Sequence, residues 1–436
     1  MKRIVTQLTL VAAMTCTAAN ADPYCADLIS QDQLPKKYQK RGPFYSDVAT
    51  GWIVGQDQFK NKYDVSAEAK ILWRGITAEF DKRGVELVVL AAPPRPLFAP
   101  QTAIDAMDLP ADVKMSDLDD GFSAYIAALN AAGITAPDLS TIANGASSAD
   151  YYFARDTHWT PMGAAVSVAH LNAAMGRASV LDSMARIDGS ATYEEKGSLA
   201  GVVKDVCGVR PDIETVPAPQ YAEQGSATSL LGDVPKLEKI ALVGTSFSDR
   251  YQSDAYQVAG ALAFVMGASV DNFAVTGGGL VGSIEAFVRS GALANGDYKT
   301  VVWETPYSAP LTHVDGLRQV LGVLQTNDEQ FPAGTLDTRI GKDWSSIDHS
   351  FPVTDVRRLE IETEHTNTGQ LVVELIDAKG GKTRTKLVKT DRVSADLCHT
   401  KWAVALDDVP EGQIVRIKLR LPKAKSQEVA TVRFFD

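Results

Sequence analysis

The chain has 436 residues, 45% of them hydrophobic and 22% charged, an ordinary globular composition long enough for two or three domains. Its net charge of −11 argues against nucleic acid as the main partner, and no run beyond the N-terminus is long and apolar enough to span a bilayer. Its histidines and cysteines form no cluster with ligand spacing, so neither a metal nor a cofactor is expected.

Residues 1–21 read as a cleaved secretory leader. Lys2 and Arg3 start it, Ile4 to Met14 is apolar but too short to cross a membrane, and Ala19-Asn20-Ala21 fits the small-x-small cleavage rule. Cleavage near Ala21 would export the mature chain. Cys16 would leave with the leader and lacks the lead-in of a lipoprotein site. Cys25, Cys207 and Cys398 remain, and in an oxidising compartment two of them should pair. Cys25–Cys207 is favoured because it would pin the mature N-terminus to the first domain. A Cys207–Cys398 link stays open on these grounds alone.

From residue 22 to about 335, short apolar strands alternate with helices. Val65 to Arg83 reads as a helix with Trp73, Ile76 and Phe80 on one face, stopped by Gly84. Glu86 to Leu90 is a buried strand ending at Pro93-Pro94-Arg95. Gly121 to Ala132 is a second helix, followed by a short strand near Ile134. Pro161 to Ala174 is a third helix, with Thr160 as N-cap and Pro161 at its first position. Lys239 to Val243 and Thr300 to Trp303 are further buried strands. The pattern predicts a parallel sheet covered by helices on both faces, with sites at the carboxyl ends of its strands. Arg95, Ser246 and Tyr307 each lie just past such an end.

Residues 336–436 change character. Period-two alternation marks strands over Arg357–Glu364, Gln370–Ile376, Lys382–Val388, Gln413–Leu421 and Val429–Phe435, with a hairpin turn at Lys379-Gly380-Gly381. This predicts a β-sandwich. Acidic and basic residues balance here, whereas the acidic excess of the chain lies before it. Arg416, Lys418 and Arg420 share one strand face, and Lys382, Arg384 and Lys386 share another. Such faces can hold a polyanion by charge, or can be plain solvated sheet surface.

The chemistry concentrates in two segments, Asp156-Thr157-His158-Trp159 and Gly244-Thr245-Ser246-Phe247-Ser248. A serine hydroxyl attacks only if its proton is removed. A histidine can take that proton, and a carboxylate can hold the imidazole in the right tautomer. Asp156 and His158 are two apart, so in an extended segment they would point the same way. Taken alone, the pair reads more readily as a helix cap than as chemistry, and Ser246 reads equally as an N-cap. Ser248 and Asp249 compete for that capping role, which frees Ser246 for chemistry. Tyr307 can contact substrate or an oxyanion, and Arg95 can bind a carboxylate. The run Thr276-Gly277-Gly278-Gly279 lacks the Lys of a phosphate loop and reads as a tight turn or a set of backbone donors.

Asp-Thr-His-Trp-Thr-Pro-x-Gly, Val-Gly-Thr-Ser-Phe-Ser and Trp-Glu-x-Pro-Tyr together resemble the periplasmic alginate O-acetyltransferases of the AlgX/AlgJ type. The resemblance covers roughly Gln33 to Thr312 and implies an SGNH-hydrolase-like domain. In that family the acid and base precede the nucleophile and follow an Asp-x-His pattern, as here. It implies Ser246 as nucleophile, His158 as base, Asp156 as its orienting partner and Tyr307 as a substrate or oxyanion contact. It also implies the Cys25–Cys207 disulfide. The β domain is similar to the carbohydrate-binding module of AlgX-type members. The second disulfide of that module is absent here, since only Cys398 is present.

The expected activity is therefore periplasmic O-acetyl transfer through an acyl-serine to an exported acidic polysaccharide, alginate by resemblance. The expected partners are that anionic polymer, an acetyl donor relayed by a membrane acyltransferase, and polysaccharide export and biosynthesis proteins, around a monomeric chain. Two alternatives share the sequence features. One is an acetyl-esterase with water as acceptor. The other is a non-catalytic scaffold whose β domain binds polysaccharide.

Overall fold

The computed structural model describes residues 23–59, 63–145, 148–178, 191–221, 237–250, 252–326, 330–347, 356–364, 369–394, 397, 400–409 and 414–436. The leader with its cleavage site near Ala21, and Cys398, lie outside these. Among the described residues no helix is long and apolar enough to cross a membrane.

Phe44–Ser46 (β1) and Ile53–Gly55 (β2) make a small antiparallel pair, as do Ala191–Glu195 (β4) and Glu214–Ala218 (β5). Between and after them, Glu86–Ala91 (β3), Lys239–Val243 (β6), Ser269–Asn272 (β7) and Tyr298–Thr305 (β8) form a wholly parallel sheet in the order β3-β8-β6-β7. β3, β6 and β8 read as largely apolar runs because both sheet faces are covered there, whereas the edge strand β7, Ser-Val-Asp-Asn, is exposed to half-buried and goes beyond the sequence reading. Leu87, Val89, Val243 and Trp303 face a core with Trp73, Phe122, Leu317 and Leu321. Val88, Leu90, Leu242 and Val302 face the opposite core, with Val168, Leu171, Ala261 and Leu262. This alternation is the period-two geometry of a strand applied to two buried faces.

The helix Pro161–Ala174 has the bounds the sequence predicts, and Thr160 Oγ1 caps it by accepting the Gly163 N–H at 3.0 Å. Gly163 is required there, because a Cβ would collide with the Tyr151 carbonyl oxygen. Two elements differ from expectation. The second helix starts at Met115, six residues before Gly121. Leu118 is buried four positions before Phe122, so the apolar stripe continues through the glycine. The strand near Ile134 reduces to a single parallel bridge, Val88 to Thr135. Pro137 follows two residues later and has no N–H to extend a ladder.

The rest of the chain is a β-sandwich. Gly334–Ile340 (β9), Ser345–Ile347 (β10), Arg358–Thr363 (β11), Gln370–Asp377 (β12), Lys382–Val388 (β13), Lys401–Ala405 (β14), Ile414–Arg420 (β15) and Glu428–Phe435 (β16) form two antiparallel sheets, β14-β11-β16-β9 and β10-β15-β12-β13. Ile361, Trp402, Leu371, Val373, Ile417 and Phe434 fill the space between them. Three of these strands, β9, β10 and β14, go beyond the sequence reading. The helix Val314–Leu324 joins sandwich to parallel sheet. Its Arg318 holds Asp408 at 2.6 Å and Thr385 Oγ1 at 2.8 Å. Its Gln319 amide donates to the Val388 carbonyl and accepts the Val388 N–H, both at 2.9 Å. In effect the Gln319 side chain acts as one more pairing partner for the β13 edge.

Candidate active site

β6 and β8 pair in parallel with Val243 opposite Trp303, so Gly244 leaves β6 beside Glu304, which is still part of β8. The chain then turns sharply. Every residue from Ala241 to Ser248 is buried except Ser246, which is half-buried. The Thr245 carbonyl accepts the N–H groups of Ser248 and Asp249, each at 3.0 Å. The Ser246 N–H has no acceptor among the described residues. The turn therefore presents one hydroxyl and one open backbone donor at the carboxyl end of a buried strand.

Asp156 and His158 lie in a loop closed by the Tyr152–Trp159 bridge and by the Thr160 N–H to the Tyr151 carbonyl at 3.0 Å. The segment is bent rather than extended. Asp156 reaches the ring by wrapping back, its Oδ1 accepting both the His158 backbone N–H at 2.9 Å and the Nδ1 side of the ring at 2.5 Å. On its far side His158 Nε2 is 2.8 Å from Ser246 Oγ. The structure thus brings Asp156, His158 and Ser246 into one hydrogen-bonded chain. Trp159 Nε1 donates to the Phe247 carbonyl at 3.0 Å, which ties the two segments together directly. The imidazole packs against the rings of Phe247 and Tyr256, centroids 4.7 and 5.3 Å away.

Asp156 is fully buried, and its second oxygen accepts the Ser198 N–H at 2.5 Å, at the start of the helix Ser198–Cys207. Burial pushes its pKa up, but the His158 contact, Arg250 and the Ser198 N–H outweigh that and hold it well below the usual carboxylate range. The same helix ends at Cys207, which is disulfide-bonded to Cys25 with Cα atoms 5.7 Å apart. The predicted pairing thus anchors the element that supports Asp156.

Several groups here carry no local sequence signal. Arg250 approaches His158 Nδ1 at 3.0 Å and Asp156 Oδ2 at 3.8 Å, and pairs with Glu195 at 3.3 Å. Glu195 also accepts the Tyr256 hydroxyl at 3.1 Å and the Gly197 N–H at 3.1 Å. Neither residue is periodic or close in sequence to the motif it supports. Glu304 accepts the Thr245 N–H at 2.6 Å, and its place in Trp-Glu-x-Pro-Tyr was its only sequence signal.

The remaining predicted residues distribute as follows. Tyr307 is buried. Its ring packs edge-on to Phe247 at 6.1 Å, and its hydroxyl accepts from Gln58 Nε2 at 2.6 Å. Burial raises its pKa to about 12. Arg95 does not face a ligand. It is 0% exposed, stacks over Trp52, and donates to the carbonyls of Ile53 at 2.8 Å, Phe153 at 2.8 Å and Ala154 at 2.6 Å, and to Gln58. The carbonyl oxygens of two chain segments need a donor in the dry interior, and the guanidinium fork supplies it. Arg95 is a brace for the loop before Asp156.

In the sandwich, β13 and β15 flank β12. Arg416, Ile376 and Lys382 align in one row, Lys418, Glu374 and Arg384 in the next, and Arg420, Val372 and Lys386 in a third. The two basic strand faces of the sequence are thus one surface. Glu374 is buried beneath it, paired with Arg384 at 2.5 Å, and Trp344 packs against Arg384 and Arg420. A cleft of about 830 Å³ is lined by Gly277, Gly278, His313, Lys386 and Lys423 among others. The glycine run at its rim is tied to the serine turn by the Thr276 N–H to Asp249 at 3.1 Å.

Comparison with known proteins shows the family and the fold. The family described as SGNH hydrolase-like domain, acetyltransferase AlgX, matches residues 49–307, more than half of the chain. The chain is 27% identical over 412 residues to the alginate biosynthesis protein AlgX of Pseudomonas syringae pv. tomato, covering 89% of this chain and 82% of that protein. It is 29% identical over 273 residues to the probable alginate O-acetylase AlgJ of Pseudomonas putida, covering 58% of this chain and 67% of that protein. The solved structure of Pseudomonas aeruginosa AlgX superimposes with a TM-score of 0.70 at 20% identity, over 94% of this chain and 99% of that one, which shows a shared fold.

Proposed function

The chain belongs to the family of SGNH hydrolase-like acetyltransferases that includes AlgX, and we propose that it moves acetyl groups through Ser246 onto hydroxyls of an exported acidic polysaccharide, alginate by analogy with its relatives. The observation that carries this reading is the chain Asp156–His158–Ser246, ending on a half-buried hydroxyl in a strand-end turn whose Thr245 and Ser248 hydroxyls are buried. His158 Nε2 takes the Ser246 proton as Oγ attacks the acetyl carbonyl, and Asp156 holds Nδ1–H and so keeps Nε2 free to accept. The carbonyl oxygen gains charge and is met by the Ser246 N–H, with Tyr307 as a further contact. The donor's leaving group takes the proton from His158. A sugar hydroxyl then gives its proton to His158 Nε2 and attacks the acyl-serine, which returns Oγ to its starting state.

In this reading residues 22–335 form the catalytic unit and 336–436 a polysaccharide-binding module. The basic β12 surface holds the anionic chain, and Lys386 continues that surface into the cleft beside the glycine run. The leader sends the protein to the periplasm, where a membrane acyltransferase supplies acetyl and the polymer's export proteins supply acceptor.

The test is mass spectrometry of Ser246 after exposure to 4-nitrophenyl acetate, followed by oligouronate acceptors. Acetyl should appear on Ser246 and then on the oligosaccharide. Ser246→Ala and His158→Ala should each abolish transfer while the protein stays folded. Full activity in either would sink the reading, and acetate released only to water would make the protein an esterase.

A further inference from the structure

Glu304 stands at the edge of the catalytic turn, yet the acyl-transfer steps give it no part. It is 0% exposed, at the last turn of β8 toward the face covered by the helix Pro161–Ala174. No salt bridge to it exists among the described residues. A carboxyl group so placed is costly unless its oxygens are met by donors. They are met almost entirely by one residue. Glu304 Oε2 accepts the Thr245 N–H at 2.6 Å, and Oε1 accepts the Thr245 hydroxyl at 3.0 Å.

The fit is mutual. A Cβ on Gly244 would stand 2.5 Å from Glu304 Oε2 and 2.8 Å from Glu304 Cβ, so the glycine before the turn is what admits the carboxylate. Thr245 Oγ1, while donating to Glu304, accepts the Phe247 N–H at 3.4 Å. The residues on both sides of Ser246 are thereby held from one point. A second consequence concerns the backbone donors. The Thr245 N–H is turned inward and occupied, so the open N–H of the turn is that of Ser246.

We infer that Glu304 is a positioning residue for the acyl-carrying serine. It fixes Thr245 by backbone and side chain together, and so aims the Ser246 N–H and Oγ at the same reacting carbonyl. This rests on the reading of Ser246 as acyl carrier. Glu304 touches neither substrate nor His158 in this role. It sets the angle between two groups that must act within one hydrogen-bond length of each other. The sheet supplies the precision, because β6 and β8 are neighbours in register and Glu304 is part of the strand itself.

The experiment compares wild type, Glu304→Gln and Thr245→Val in the full chain at pH 8, with 4-nitrophenyl acetate as acyl donor and acetyl on Ser246 read by mass spectrometry. Glu304→Gln keeps the shape and one acceptor, but its amide N–H₂ can only donate, so either the Thr245 N–H or the Thr245 hydroxyl proton loses its acceptor. The acylation rate constant should fall about tenfold, with KM for the ester unchanged, since a small misplacement of reacting groups is felt mainly in the rate. Thr245→Val keeps the backbone N–H to Glu304 but removes the hydroxyl's contacts with Glu304 and with the Phe247 N–H, and its rate should fall about threefold. A role in folding alone would lower the unfolding midpoint and leave the rate per folded molecule as in wild type, and that result overturns the assignment. If Glu304→Gln does not fold, a wild-type rate in folded Thr245→Val overturns it equally. Wild-type protein that takes no acetyl on Ser246 overturns the acyl-carrier reading itself, which separates that failure from this one.

Discussion

The serine turn and the basic β12 surface hold their polar groups in opposite ways. Around Ser246 the charged groups are buried, and each has a named partner: Asp156 with His158 and Ser198, Glu195 with Arg250, Glu304 with Thr245. On the sandwich, cations from β13 and β15 stand toward solvent around one buried carboxylate, Glu374. Interactions in a dry site are strong and weakly screened. Interactions between exposed charges are small singly and fade with salt. The first region should therefore respond to single atoms, and the second only to the sum of its charges.

The largest effect should come from Asp156→Asn. The asparagine carbonyl oxygen can replace only one of the two carboxylate oxygens, the one facing His158 or the one facing Ser198. Where its amide N–H₂ meets Nδ1, the ring proton moves to Nε2, which can then no longer accept from Ser246. Acetyl transfer should drop by about ten-thousand-fold. Binding of an acidic oligosaccharide, measured by calorimetry, should be unchanged. A loss of binding of similar size would erase the distinction between the two regions.

The next effect is one of pH. Burial raises the Glu304 pKa from 4.5 to about 7, against the Thr245 donors, which pull it down. The folded protein then keeps a proton between roughly pH 4.5 and 7 that the unfolded chain has lost. Stability must fall as pH rises through that window, and by about 3 kcal/mol in total. Glu304→Gln has no proton to lose. The difference in unfolding free energy, variant minus wild type, should climb between pH 5 and pH 8 and level off above. A flat difference in urea titrations would mean that the carboxylate stays ionised throughout.

Third, replacing Arg416, Lys418 and Arg420 together by Gln should weaken oligouronate binding roughly tenfold at low salt, and hardly at all near 0.5 M salt. The rate of Ser246 acylation by a small ester should not change. A change there would mean that the sandwich acts on the serine turn through the helix Val314–Leu324, whose Arg318 and Gln319 join the two parts.

What could be read from the sequence follows the same division. The parallel strands β3, β6 and β8 were legible because burial on both faces leaves an apolar run, whereas the edge strand β7, Ser-Val-Asp-Asn, carries no such run and was not. Helix Pro161–Ala174 was legible because Thr160 and Pro161 mark its start. Asp156 and His158 were legible because they meet within three residues, and Ser246 because a glycine turn follows its strand. Arg250, Glu195 and Gln58 were not legible. Each is a polar residue whose partner lies far along the chain, and no periodicity records such a pairing. Arg95 was visible as a cation past a strand end, but its direction was not, and it turned inward to carbonyl oxygens. Glu304 lay inside a quoted motif, yet its aim depends on β8 being the neighbour of β6, which is a fact of topology.

The smallest effects separate two cations that the sequence treats alike, Lys382 and Arg384. Both lie on β13 facing the same way, and either loss removes one unit of positive charge from the β12 surface. Oligouronate binding should weaken by less than threefold for Lys382→Gln and for Arg384→Gln, with the same salt dependence. Stability should tell them apart. Lys382 is exposed opposite Ile376 and makes no salt bridge among the described residues, so its loss should stay within about 0.5 kcal/mol. Arg384 pairs with Glu374, which is only 2% exposed, and its removal leaves that carboxylate under the sheet with Lys418 alone opposite it. That change should cost about 1 kcal/mol by urea titration, more than the other but less than a fully isolated buried charge. Equal stability in the two variants would mean that Glu374 is solvated after all, and the surface would then contain no buried charge to set it apart from ordinary sheet exterior.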